Sequence, residues 1–170
     1  PGFIDLHVHG AIGRDTMEAS AEAFRSVCDF HASGGTTSLL LTTTTAPLNE
    51  IVNVLQAVRD STEQRSVVGT PRRGVRTAQR AVPTIVGVHV EGPFIAKAKA
   101  GAQRAEFIQD PSATAVGELL EYSDVVKRVT IAPELPGALE AIEVFHAHGI
   151  SVSGGHSDAW EEDARAAFDR

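Results

Sequence analysis

The sequence predicts an α/β fold, a partial TIM-like (β/α)8 barrel with about five of eight βα units present. Three observations carry this reading. Short β-branched and apolar runs alternate with stretches of helical spacing, and polar residues gather at the C-terminal ends of the runs. No glycine-rich phosphate loop follows the first run, as an open dinucleotide-binding sheet would require. Five strand–helix pairs in 170 residues average about 34 residues each, so eight would need roughly 270, near the ~250 of a complete barrel.

The elements follow in order. Phe3 to His9 is a short strand, and Thr16 to Ala32 has helical spacing, with Met17, Ala21, Phe24, Val27 and Cys28 as its apolar stripe. Gly34-Gly35 ends that helix. TTSLLLTTTT reads as a strand buried on both sides, and Pro47 opens a helix over Leu48 to Asp60. A short strand at Ser66 to Val68 and a polar loop or helix are expected next. Strands at Thr84–Val90, Arg128–Ile131 and Ile150–Ser153 then alternate with helices at Ala113–Tyr122, Ala138–Ala147 and from Ala159. The chain opens in a strand-like run without Met and stops in the helical run AWEEDARAAFDR, so the expectation is a piece of a longer protein.

Composition narrows the partners. At 42% hydrophobic and 22% charged residues the chain is globular rather than disordered. A net charge of -7 leaves no general basic surface for nucleic acid, so the expected partner is a small molecule. No apolar run is long enough to span a bilayer, and the start lacks the features of a signal peptide. The only cysteine, Cys28, lies in a helical stripe and reads as a buried thiol in a reducing, cytoplasmic compartment.

Three clusters can carry chemistry. In FIDLHVHG the strand period puts Asp5, His7 and His9 on one side, where two imidazoles either share a divalent ion or form a hydrogen-bonded pair. Asp5 would orient or supplement them. In GVHVEGPF the same period aligns His89 with Glu91, and Gly92-Pro93 then turns the chain. Glu91 is either a hard anionic ligand or a solvated carboxylate; His89 is a ligand, a substrate contact or a satisfied core histidine. In SVSGGHSDA, His156 again follows a strand, as a ligand or a loop residue, while Ser157 can cap the next helix. Three such sites in one βα array favour a metal centre assembled from separate strands.

Other polar residues have plainer readings. Thr42 to Thr45 form either an anion site or a hydroxyl run satisfied locally, and Glu134 touches substrate or a neighbouring loop, or favours a helix start. His31, His146 and His148 sit in last turns of helices, where the dipole suffices. Arg72, Arg73, Arg76 and Arg80 form a phosphate site, a solvated run or a subunit contact.

The ordered set PGFIDLHVHG, GGTTS, HVEGPF, KAGAQ, TIAPE and GGHSDA resembles the N-acetylglucosamine-6-phosphate deacetylases of the amidohydrolase superfamily, over the whole chain. The resemblance implies metal ligands at His7, His9, Glu91 and His156, and substrate contacts at Ala102 and Gln103, with His89 also kept as a substrate-contact candidate. Gln103 stands where many members have His. It further implies one or two divalent ions, zinc first, with iron or another transition metal also compatible with the donors. The implied reaction is hydrolysis of N-acetylglucosamine 6-phosphate to glucosamine 6-phosphate and acetate. Another ligand His and the general-base Asp are expected beyond Arg170, and the flanking β-sandwich of such enzymes is absent from residues 1–170. A homodimer is expected for the full-length enzyme. A different N-acyl or cyclic amide substrate, or a metal-binding fragment without turnover, are the alternatives.

Overall fold

The computed structural model describes residues 2–67 and 83–170. Its main sheet has five parallel strands, β1 (Phe3–Val8), β4 (Thr36–Thr42), β5 (Thr84–Glu91), β6 (Val126–Ile131) and β7 (Ser151–Gly154), hydrogen-bonded in that order. A two-stranded ribbon, β2 (Gly10–Ala11) and β3 (Arg14–Asp15), follows β1. Ile12 and Gly13 form its two-residue turn, both with positive φ, which matches the twist of a tight hairpin. Helices α1 (Ala21–Ser33), α2 (Leu48–Val67), α3 (Ala113–Leu120), α4 (Ala138–Ala147) and α5 (Glu161–Phe168) alternate with the main strands. Each crossover returns the chain to the same end of the sheet, so all five parallel strands deliver their C-terminal residues to one face.

The core lies between sheet and helices. Leu39, Leu41, Val88, Val90, Val129 and Ile131 from the strands meet Phe24, Val27, Ile51, Leu55, Leu119 and Phe145 from the helices. All twelve are buried; each such side chain contributes about 1.5–3 kcal/mol by leaving water. β1 pairs only with β4 and β7 only with β6, which makes these two the outer strands of the sheet among the described residues.

Several boundaries depart from the expected ones, each for a local reason. The helix expected over Thr16–Ala32 is broken. Asp15 Oδ1 accepts from Met17 N–H while Glu18 Oε1 accepts from Asp15 N–H, closing a capping box on a single 3-10 turn at Thr16–Glu18. Ala19 then turns left-handed and Ser20 caps α1 afresh by accepting from Ala23 N–H. Ala23, not Ala21, consequently joins the buried stripe. α2 runs on through Ser66 and Val67, replacing the expected strand there, because Glu63, Gln64 and Arg65 are good helix formers and no Gly or Pro interrupts the run. Val68 lies outside the described residues, as do Arg72, Arg73, Arg76 and Arg80. The last helix starts at Glu161, where Asp163 Oδ2 accepts from Trp160 N–H, so Ser157 is not its cap.

Candidate metal centre

The site forms where β1, β5 and β7 end. Val8 N–H donates to Thr42 Oγ1 at 2.9 Å, pinning the end of β1 to that of β4. Alternation about Val8 then turns His7 and His9 the same way, and their Nε2 atoms lie 3.1 Å apart. Asp5 Oδ1 accepts from the backbone N–H of His7; Asp5 orients the strand and is not among the converging donor atoms. On β5, Glu91 N–H donates to Thr43 Oγ1, which fixes where the carboxylate leaves the strand.

Glu91 is the hub. Its Oε2 lies 3.1 Å from His9 Nε2, and its Oε1 lies 3.8 Å from His7 Nε2 and 3.4 Å from His156 Nε2. One donor atom from each of His7, His9 and Glu91 falls within 4.8 Å of the others. His156 reaches in from beyond β7 with a positive φ of 50°, a conformation sparsely used by residues other than glycine and held here by its surroundings. Its backbone oxygen accepts from Ala96 N–H, and its Nδ1 lies 2.8 Å from the Lys99 carbonyl.

Hydrogen-bond logic fixes two of the tautomers. A carbonyl only accepts, so His156 Nδ1 carries the hydrogen toward Lys99 O, and His9 Nδ1 carries it toward Thr42 O at 3.2 Å. In the neutral rings Nε2 is then a bare lone pair, and both lone pairs face oxygens of Glu91. Two acceptors face each other stably only with a proton or a cation between them. A backbone carbonyl on the far ring nitrogen is also the usual support of a metal-binding histidine. The donor set therefore fits a divalent cation.

The proton balance carries the same signature. The hydrogen bond with Glu91 raises the pKa of His9 above its ordinary 6.5, against the opposing effect of burial. Burial alone would push Glu91 up, but the hydrogen bond from His9 and the nearby rings of His7 and His156 hold it below the usual range.

The remaining expected residues take distinct places. His89 is 3% exposed; its Nε2 meets Thr130 Oγ1 at 2.7 Å, and its ring packs edge-on against His7 at 5.1 Å. Burial foremost, with His7 and Arg128 nearby, lowers its pKa to about 4, so it is neutral at pH 7. Ala102 is exposed in the loop after β5. In that loop Gln103 accepts from Thr45 N–H and donates to Glu91 Oε2, both at 2.6 Å. Glu134 accepts from Ser157 Oγ and Asp158 N–H, a contact to the neighbouring loop. The threonine run is not satisfied within itself: Thr42 and Thr43 accept from β1 and β5. His148 Nδ1 bonds the carbonyl of Val144, and His31 packs on Phe30, both away from the site. The Gln103 bridge and the Lys99 carbonyl were not foreseen from sequence.

The sequence matches the amidohydrolase family over residues 1–170. It is 35% identical to the N-acetylglucosamine-6-phosphate deacetylase of Vibrio furnissii across 99% of this chain and 39% of that protein. It is 32% identical to the N-acetylgalactosamine-6-phosphate deacetylase of Escherichia coli O157:H7, across 99% of this chain and 41% of that one. Among solved structures, the N-acetyl-D-glucosamine-6-phosphate deacetylase of Mycobacterium smegmatis superposes with a TM-score of 0.85 at 28% identity, covering 99% of this chain and 40% of that one. A mutant of that enzyme in complex with N-acetyl-D-glucosamine-6-phosphate gives 0.84. The five parallel strands and their helices thus correspond to part of a TIM-like barrel, and the chain spans about 40% of the length of these relatives. With the match running from the first residue to the last, the chain belongs to the amidohydrolase family.

Proposed function

We propose that this chain forms the metal-binding part of a hydrolase that removes the acetyl group from N-acetylglucosamine 6-phosphate, giving glucosamine 6-phosphate and acetate. The observation that carries it is the convergence of His9 and His156 lone pairs on the two oxygens of Glu91, with His7 Nε2 beside them. The relatives named above supply the substrate class. In this reading Glu91 and His156 hold one divalent ion, zinc by donor preference, and His7 and His9 hold a second when two are bound. An ion held by these residues would supply Lewis-acid chemistry, polarising an amide carbonyl and acidifying a water.

The chain's own residues prepare that chemistry. Thr42 and Lys99 carbonyls keep the His9 and His156 lone pairs facing inward, and Thr43 sets the exit of Glu91. Ala102 and the second N–H of Gln103 are available to substrate, while buried His89 acts through His7. The general base belongs to an Asp beyond Arg170, so residues 1–170 alone bind metal without appreciable turnover. The full-length enzyme is a cytoplasmic homodimer in this proposal. Among the described residues, no helix is long and apolar enough to cross a membrane.

The test is acetate release by the zinc-loaded full-length protein, with N-acetylglucosamine 6-phosphate and N-acetylgalactosamine 6-phosphate in parallel. Release from the first substrate at the higher kcat/KM is expected. A protein that binds zinc and releases acetate from neither overturns the reading. Preference for the galactosamine compound selects the second reading, which the Escherichia coli relative favours.

A further inference from the structure

We propose that Gln103 is a positioning residue for Glu91: anchored by Thr45 N–H, its amide holds Glu91 Oε2 and turns Oε1 toward His7 and His156. The inference rests on the metal reading of this site.

The orientation of the amide is fixed by its neighbours. A backbone N–H can only donate, so the atom facing Thr45 must be Oε1; Nε2 is left to donate to the carboxylate. Thr45 follows β4 and Glu91 ends β5, so this one side chain ties the carboxylate to the adjacent strand's exit. The same loop carries Lys99, whose carbonyl meets His156 Nδ1 and whose ammonium pairs with Asp158 at 3.0 Å. One short loop therefore steadies both Glu91 and His156, which come from separate strands. A carboxylate with one oxygen committed to an amide donor presents the other in a defined direction. Without that bond His9 Nε2, 3.1 Å away, is the remaining side-chain restraint on Oε2, and the terminal torsion is softer. Supporting hydrogen bonds of this kind are worth about 10–100-fold in metal affinity.

The experiment is Co2+ titration of the full-length protein, following both affinity and the visible d–d bands. Gln103→Leu removes both bonds, and Gln103→Asn keeps the amide but is one methylene too short to span Thr45 and Glu91. Both are expected to bind Co2+ about 10–100-fold more weakly and with shifted bands, a loss beyond the modest fall in metal-free melting temperature that an unpaired Thr45 N–H brings. Gln103→His is the rescue: its two ring nitrogens are separated by one carbon, like the amide oxygen and nitrogen, so it restores affinity to within a few-fold. If Leu and Asn variants bind Co2+ as the parent does, with the same bands, the proposal is overturned, as it is if only the metal-free melting temperature falls. A parent protein that takes up no Co2+ removes the metal reading itself, and this inference with it.

Discussion

β1 and β5 present the same written pattern, His-Val-His and His-Val-Glu, at their C-terminal ends, yet the structure treats them differently. β5 lies between β4 and β6, and His89 and Glu91 are 3% and 7% exposed. Among the described residues β1 pairs with β4 alone, and within residues 1–170 the side chains of His7 and His9 retain 48% and 33% of their accessibility. Alternation decides which side chains converge; burial and the charged partner beside each ring then decide the direction in which His9 and His89 shift. The contrast is sharpest between two histidines: His9, beside an anion, has its pKa raised, whereas buried His89 is lowered to about 4.

The largest test of that difference is Glu91→Gln against His7→Asn. Supporting residues alone cost about 10–100-fold in metal affinity, so losing the hub that faces three imidazoles should exceed 100-fold. His7→Asn, at 3.8 Å the farthest of the three rings from the carboxylate, should cost about tenfold. Equilibrium dialysis with zinc compares them, and equal losses would show that the central and outer strands contribute alike. Next comes His89→Ala, which leaves Thr130 without its partner and opens a hole behind His7. A loss of about 2–4 kcal/mol is expected in urea unfolding of the metal-free protein, against about 1 kcal/mol or less for His9→Ala.

Much of this was legible because periodicity is written in residue types. HVEGPF and GGH name a strand end and its turn, and the three clusters could be placed on one face before any coordinates. What was not legible depends on partners remote in sequence or on backbone atoms. The resemblance implies a substrate contact for Gln103, but its bond to Glu91 depends on Thr45, 58 positions away, which fixes its amide. Lys99 acts through a carbonyl that every residue possesses. The break at Ala19 arises because Asp15 and Ser20 each offer a cap within one apolar-periodic run, and local capping outweighs the longer pattern there.

The pH dependence of the metal-free protein gives the next contrast, with opposite signs on the two strands. His89 has a folded pKa of about 4 against an ordinary 6.5. Its neutral form therefore contributes stability that is complete above 6.5 and lost as pH falls toward 4, on the order of 2 kcal/mol after discounting solvent screening. His9 has a raised folded pKa, so its contribution is complete below 6.5 and lost as pH rises through the folded value. His89→Gln should flatten the acid limb of a stability–pH curve and leave the alkaline side in place; His9→Gln should do the reverse. Identical curves would mean that burial does not separate the two rings.

The smallest effect on stability is expected at the open edge itself. Within residues 1–170 by themselves, Phe3, Ile4 and Leu6 of β1 are 73%, 67% and 47% exposed, and Ile4 and Leu6 share the face opposite His7 by alternation. An exposed apolar strand with one free ladder is a template for pairing with another chain. Ile4→Lys places a charge on that strand without touching the ring nitrogens of the site. In residues 1–170 taken by themselves, unfolding free energy should change by less than about 0.5 kcal/mol and zinc affinity by less than about twofold, because Ile4 buries little there. Light scattering of residues 1–170 should nonetheless show reduced self-association. A substitution at Val88, fully buried on β5, should instead unfold the chain, since a lysine there has no route to water. If Ile4→Lys were as damaging as Val88→Lys in residues 1–170, β1 would be a covered strand there.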